Sequence, residues 1–172
     1  MSLVKNGTFT LVELPPGKKT VGAKWVYRIK YDTNGEIAKF KARLMAQGFT
    51  QKKGIDFDET YAPVTRLSSV RLLLTIAAAK GYKIAQLDVD SAYLNGFIDK
   101  EIYMRQPPGF VDPDHPSKVW LLLKSLYGLK QAAMIWHSVV DKMLRASGYT
   151  PVAVTVDSQF PWELVNANAE ET

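Results

Sequence analysis

With 172 residues, 47% of them hydrophobic, and no cysteine, the chain is long and apolar enough for one real core, and disulfides and thiolate metal sites are excluded. The two histidines, His115 and His137, are too few and too differently placed for a zinc cluster, no apolar run is long enough to cross a membrane, and Met1 to Lys5 lacks the apolar stretch of a secretory signal. A soluble intracellular chain, in cytoplasm or nucleus, is expected. The net charge of +5 is unevenly spread: Lys18 to Lys53 holds ten Lys or Arg against Asp32 and Glu36, whereas Ala146 to Thr172 holds four acidic residues and no basic one. A basic segment interleaved with Trp25, Tyr27, Tyr31, Phe40 and Phe49 has the composition of a surface that tracks a nucleic-acid backbone. The aromatics themselves are expected to pack inward.

In chain order, Trp25 to Tyr31 alternates, with Trp25, Tyr27, Ile29 and Tyr31 on one side and Val26, Arg28 and Lys30 on the other. That period predicts a strand with one buried face. Asp32-Thr33-Asn34-Gly35 carries turn chemistry, and Glu36 to Ala46 returns as a second strand with Lys39, Lys41 and Arg43 on a single face. The expected product is a basic hairpin. Gln47 to Thr65 reads as loop. Ser68 or Ser69 can cap a helix whose Val70, Leu73, Leu74, Ala77 and Ala78 form a core-facing stripe, and Gly81 supplies its stop.

Ile84 to Val89 then predicts a short buried strand ending in two carboxylates, Asp88 and Asp90, which a period of two would turn to one face. Paired carboxylates can hold a hard divalent cation. Spacing alone is better fitted by a strand end that turns toward Asn95-Gly96. Beyond it come a short strand over Glu101 to Met104, a proline-rich loop over Pro107 to Pro116 and an apolar strand over Val119 to Leu123. Leu129, Ala133, Trp136, Val140 and Leu144 mark a helix up to Gly148, on which Trp136 reads as core and His137 as a surface or packed residue. The composition changes at Gly148, so residues 1–148 are expected to form the domain and 149–172 an unrelated or disordered tail.

The phrase Leu87-Asp88-Val89-Asp90-Ser91-Ala92-Tyr93-Leu94-Asn95-Gly96 resembles the first carboxylate motif of reverse transcriptases in its copia-type retrotransposon form. Lys41-Ala42-Arg43-Leu44, Gly48-Phe49-Thr50-Gln51, Gly54-Ile55-Asp56-Phe57 and Ala62-Pro63-Val64 precede it in the family's order. Glu101-Ile102-Tyr103-Met104, Gln106-Pro107-Pro108-Gly109-Phe110 and Ser125-Leu126-Tyr127-Gly128-Leu129-Lys130-Gln131 follow it. The resemblance runs from about Asn6 to about Gly148. It implies an α+β fold: fingers and part of a palm, a β-hairpin plus helices on an incomplete antiparallel sheet. It further implies RNA-directed DNA polymerase ancestry within a transposable-element polyprotein, with primer-template and deoxynucleotide as partners and magnesium as cofactor.

By the same resemblance Asp88 is a catalytic metal ligand, and Val89 lends a backbone carbonyl to the metal on the triphosphate side. Tyr93 lies under the sugar of the incoming nucleotide, where a ring excludes a 2′-hydroxyl. Lys41 and Arg43 contact triphosphate or template backbone, with the main contact open between them, and Tyr127 and Gly128 border the nascent base pair. Asp90 falls at a variable position and takes no role. The chain departs from the family in two places. Ala132-Ala133-Met134 replaces Ser-Pro-Arg, and no Asp-Asp pair occurs, so the two aspartates of the family's Tyr-x-Asp-Asp hairpin are missing. Two-metal nucleotidyl transfer needs carboxylates converging from separate strands, so no polymerase activity is expected of these residues alone. Two other readings stand beside this one: a non-catalytic nucleic-acid-binding remnant, and an interaction module that self-associates through its incomplete palm.

Overall fold

The computed structural model describes residues 2–86, 88–151 and 164–166. Its elements are α1 (Ser2–Lys5), β1 (Phe9–Val12), β2 (Thr20–Val21), β3 (Ala23–Tyr31), β4 (Ile37–Ala46), α2 (Leu67–Lys80), β5 (Phe97–Met104), β6 (Val119–Lys124), α3 (Ala132–Ala146), β7 (Tyr149–Pro151) and β8 (Leu164–Asn166). One-turn 3-10 helices lie at Gly48–Thr50 and Ala92–Asn95. The mixed α and β content agrees with the expected α+β class. Two compact units divide the chain, Met1–Thr60 with Ser91–Trp136, and Tyr61–Asp90 with His137–Thr172.

In the first unit a sheet runs in the order β1-β6-β5-β2. The run Val-Trp-Leu-Leu-Leu makes β6 a central strand, paired antiparallel with β1 through Phe9↔Leu122 and with β5 through Ile102↔Leu122 and Met104↔Trp120. Ile102 and Met104 have no exposed surface, and Phe9 stacks on Trp120 with ring centroids 3.5 Å apart. The antiparallel expectation fails at one edge, where Thr20-Val21 pairs parallel with Tyr103-Met104. Those strands are far apart in sequence, so no tight turn fixes their direction.

Antiparallel β3 and β4 form the expected hairpin, with Arg28↔Lys41 and Lys30↔Lys39 directly opposite. Asp32 organises its turn: its carboxylate accepts from the backbone N–H of Asn34 and Glu36, both at 2.9 Å, and Gly35 takes φ +84°. A register shift at Lys30/Tyr31 makes Ala38 an extra residue, which leaves Lys39 opposite Lys30 and Ile37 opposite Tyr31. Leu44 and Ala46 at the base join the core with Val21, Leu126 and Leu129, and Trp25 packs against it. The aromatics toward the tip do not pack inward. Tyr27 and Phe40 are each 73% exposed and Tyr31 60%, because nothing in this unit covers that face of the two-stranded ribbon.

In the second unit α2 ends as its sequence demands. Gly81 adopts the left-handed conformation at φ +68°, and Tyr82 N–H donates to the Ala77 carbonyl at 2.8 Å. Its N-cap is Arg66, so Ser68 and Ser69 lie inside the first turn and cap nothing. The core role expected of α2 is absent, since none of its residues is buried. Apolar residues surround it on every side, and Leu67, Leu72, Leu74 and Ile76 are exposed. Nor do the described residues of 84–89 form the expected strand: they enter no ladder with any described strand, and a strand persists only where a neighbour completes its hydrogen bonds. Leu87, within that segment, lies outside the described residues, as does most of the expected tail, of which Tyr149–Pro151 and Leu164–Asn166 pair as β7 and β8.

Candidate nucleotide and nucleic-acid interface

Alternation in β3 and β4 places Lys24, Arg28, Lys30, Lys39, Lys41 and Arg43 on one face of the hairpin, opposite the aromatics. Lys24, Arg28, Lys30 and Lys39 are exposed, and among the described residues they form no ion pair. Like charges directly across a ladder destabilise it. One such pair, Lys30↔Lys39, is exposed on both strands and therefore costs the hairpin stability, and an anion lying along the face would offset that cost.

Where the hairpin enters the core it meets the turn before α3. Ala46 N–H donates to the Tyr127 carbonyl at 2.8 Å, and Gly48 N–H donates to the Gly128 carbonyl at 3.2 Å. Gly128 takes φ +92°, and a Cβ there would collide with the Ala46 carbonyl. This docking brings four of the expected site residues together. The Arg43 guanidinium lies 5.8 Å from the centre of the Tyr127 ring, and Tyr127 meets Tyr93 with centroids 4.6 Å apart and planes at 57°. Tyr93 rides on the Ala92–Asn95 turn, entered through Ser91 in a left-handed conformation at φ 53° and anchored by buried Leu94. Of Lys41 and Arg43, it is Arg43 that sits over Tyr127.

Sequence reasoning missed three glutamines. Gln51 Nε2 donates to Gln131 Oε1 at 3.0 Å in a buried site, Gln131 Nε2 donates to the Asp56 carbonyl at 2.8 Å, and Lys130 N–H donates to Gln51 Oε1 at 2.8 Å. These amides fasten the Gly48–Gln51 loop to the start of α3. Gln106 organises the proline-rich loop: its amide donates to the carbonyls of His115 and Lys118, both at 2.9 Å, and its oxygen accepts from Asp112 N–H at 2.8 Å. Trp25 Nε1 then donates to the Pro108 carbonyl at 3.0 Å, which pins that loop to the hairpin base. The signal was a polar residue at the edge of an apolar run, which periodicity alone reads as surface. We expect Gln131→Ala to destabilise the fold by about 1–3 kcal/mol in urea unfolding, since it strands the Gln51 amide and the Asp56 carbonyl.

The Lys18–Glu101 pair, bonded at 2.9 Å, raises the lysine and lowers the carboxyl, and Asp58 raises Lys100 across 2.6 Å. Backbone donation from Asp114, with His115 beside it, holds the Asp112 carboxyl below the ordinary carboxylate range. Asp88, Val89 and Asp90 are exposed and belong to the second unit. Among the described residues no three histidine, aspartate or glutamate side chains gather into a metal-holding group. Among these residues no helix is long and apolar enough to cross a membrane.

The model of the family described as "Reverse transcriptase (RNA-dependent DNA polymerase)" matches residues 6–157. The chain is 47% identical over 148 residues to the retrovirus-related Pol polyprotein from transposon TNT 1-94 of Nicotiana tabacum, covering 86% of this chain and 11% of that one. Identity to the retrovirus-related Pol polyprotein from transposon RE1 of Arabidopsis thaliana is 42% over 147 residues, covering 85% and 10%. The transposon Ty1-ER2 Gag-Pol polyprotein of Saccharomyces cerevisiae is 33% identical over 137 residues, covering 77% and 7%. The chain thus spans about a tenth of the length of the plant polyproteins it matches. No solved structure matches it. With a family model covering most of its length and plant copia-type polyproteins above 40% identity, the chain belongs to the reverse transcriptase (RNA-dependent DNA polymerase) family and is a segment of the retrotransposon Pol kind.

Proposed function

We propose that these residues are the part of a copia-type reverse transcriptase that grips the nucleic-acid backbone and the incoming nucleotide in RNA-directed DNA synthesis. The observation that carries this reading is the cationic hairpin face, where exposed Lys30 and Lys39 stand opposite one another although a purely structural ribbon would be more stable without that pair. Phosphate contacts from such a face position a duplex without reading its sequence. Arg43, with Lys41 two residues away on the same face, would contact the triphosphate or the template backbone, and Tyr93 would lie against the sugar. Asp88 and the Val89 carbonyl would be this chain's contribution to a magnesium site. The described carboxylates do not complete that site, and no catalytic step is assigned to the chain.

Purified chain mixed with a fluorescent RNA-DNA primer-template across a salt series tests the reading. Affinity should fall steeply as salt rises, because displaced counterions drive the binding, and primer extension in magnesium should be absent. Binding that ignores salt, or none at all, would count against it. A second reading rests on α2: exposed Leu67, Leu72, Leu74 and Ile76 favour self-association. Sedimentation that depends on protein concentration but not on salt would mark that alternative.

A further inference from the structure

We infer that Tyr127 is a positioning residue for sugar selection: its ring fixes the ring of Tyr93, so that discrimination against a 2′-hydroxyl is a property of the pair. The inference rests on the proposed function and goes beyond a border role for Tyr127. Tyr93 stands on a single 3-10 turn, closed by Leu94 N–H to the Ser91 carbonyl at 2.8 Å and Gly96 N–H to the Tyr93 carbonyl at 3.3 Å. Those bonds hold its backbone, and its half-buried ring packs on one side against the core. The aromatic contact that completes its seat is Tyr127, 4.6 Å away at 57°, a tilted arrangement that aromatic pairs favour.

Tyr127 in turn cannot retreat. Its carbonyl is held by Ala46, the next residue is threaded against the same strand end, and Leu126 and Leu129 on either side are buried. The Arg43 guanidinium covers the ring at 5.8 Å. The order along this stack is therefore cation, Tyr127, Tyr93, which ties a phosphate-binding group to the sugar-facing ring through one aromatic side chain. Excluding one oxygen atom requires that ring to be held within about 0.5 Å, a tolerance set by packing against it.

Two measurements on the full chain test this. With primer-template bound, equilibrium dialysis of dATP and ATP gives the ratio of their dissociation constants. Tyr127→Phe, which keeps the ring, should hold the wild-type ratio, whereas Tyr127→Leu should reduce the preference for dATP about three- to tenfold, the range of an aromatic pair contact. Independently of any nucleotide, fluorotyrosine NMR with the Tyr93 signal assigned by Tyr93→Phe should show that signal shifted and broadened in Tyr127→Leu but not in Tyr127→Phe. Preserved discrimination or an unmoved Tyr93 signal in Tyr127→Leu would overturn the inference. Absence of nucleotide binding in the wild type would overturn the proposed function instead, a result the NMR arm keeps separate.

Discussion

Replacing Arg28, Lys30 and Lys39 together by glutamine should weaken primer-template binding on the order of a hundredfold at about 0.1 M salt and flatten the salt dependence by two to three units of slope, about 0.7–0.9 for each phosphate left without its cation. All three side chains are exposed, and two of them face each other across the ladder. The same substitutions should leave the fold intact or raise its stability by a few tenths of a kcal/mol, because opposed like charges are relieved. Affinity and stability moving in opposite directions is the signature of a face kept for a ligand. Neutralising Lys5, Lys118 and Lys142 removes the same charge elsewhere and serves as the control. Equal losses from both triple variants would mean that only net charge matters and that the hairpin is no interface.

The hairpin was legible because two local signals agree. A period of two runs through Trp25 to Tyr31, and Asp32 and Gly35 supply a turn whose hydrogen bonds close within five residues. Its cationic face followed from the same period. What alternation could not say is which face is covered: Tyr27 and Phe40 carry the apolar pattern of an inner surface, yet burial depends on a partner element that no local rule specifies. The same gap explains α2 and the segment at Asp88. Gly81 ends the helix by its own backbone conformation, so the end was readable, whereas the core role of Leu74 required a neighbouring layer. Ile84 and Val89 have the composition of a strand, but a ladder is made between segments.

The motif order singled out Arg43, Tyr93, Tyr127 and Gly128, and the fold of the first unit gathers all four. Gln51 and Gln131 stayed invisible because their pairing spans 80 residues and amide side chains give no periodic signal. Gly48 and Gly128 carried a partial signal. A glycine at a strand end suggests a close backbone approach, but only the tertiary fold names the backbone approached.

Gly128→Ala should destabilise the first unit by roughly 3 kcal/mol or more, a positive φ and a collision each contributing of order 1–3 kcal/mol. The left-handed value of +92° accounts for the first, and the Ala46 carbonyl, where an added Cβ would lie, accounts for the second. Ala46 is the last residue of β4, is buried, and pairs with Ala23, so it cannot move aside without opening the hairpin base. Gly35→Ala separates the two terms. Its φ of +84° is comparable, but nothing lies within 4 Å of the position a Cβ would take, so only the conformational penalty applies. Urea unfolding of both variants should therefore place Gly128→Ala well below Gly35→Ala. The difference between them measures how tightly the turn bearing Tyr127 is held against the strand bearing Arg43. Equal effects would mean that the turn yields freely, and then neither the cationic face nor the Tyr127–Tyr93 contact could be held in register by this docking.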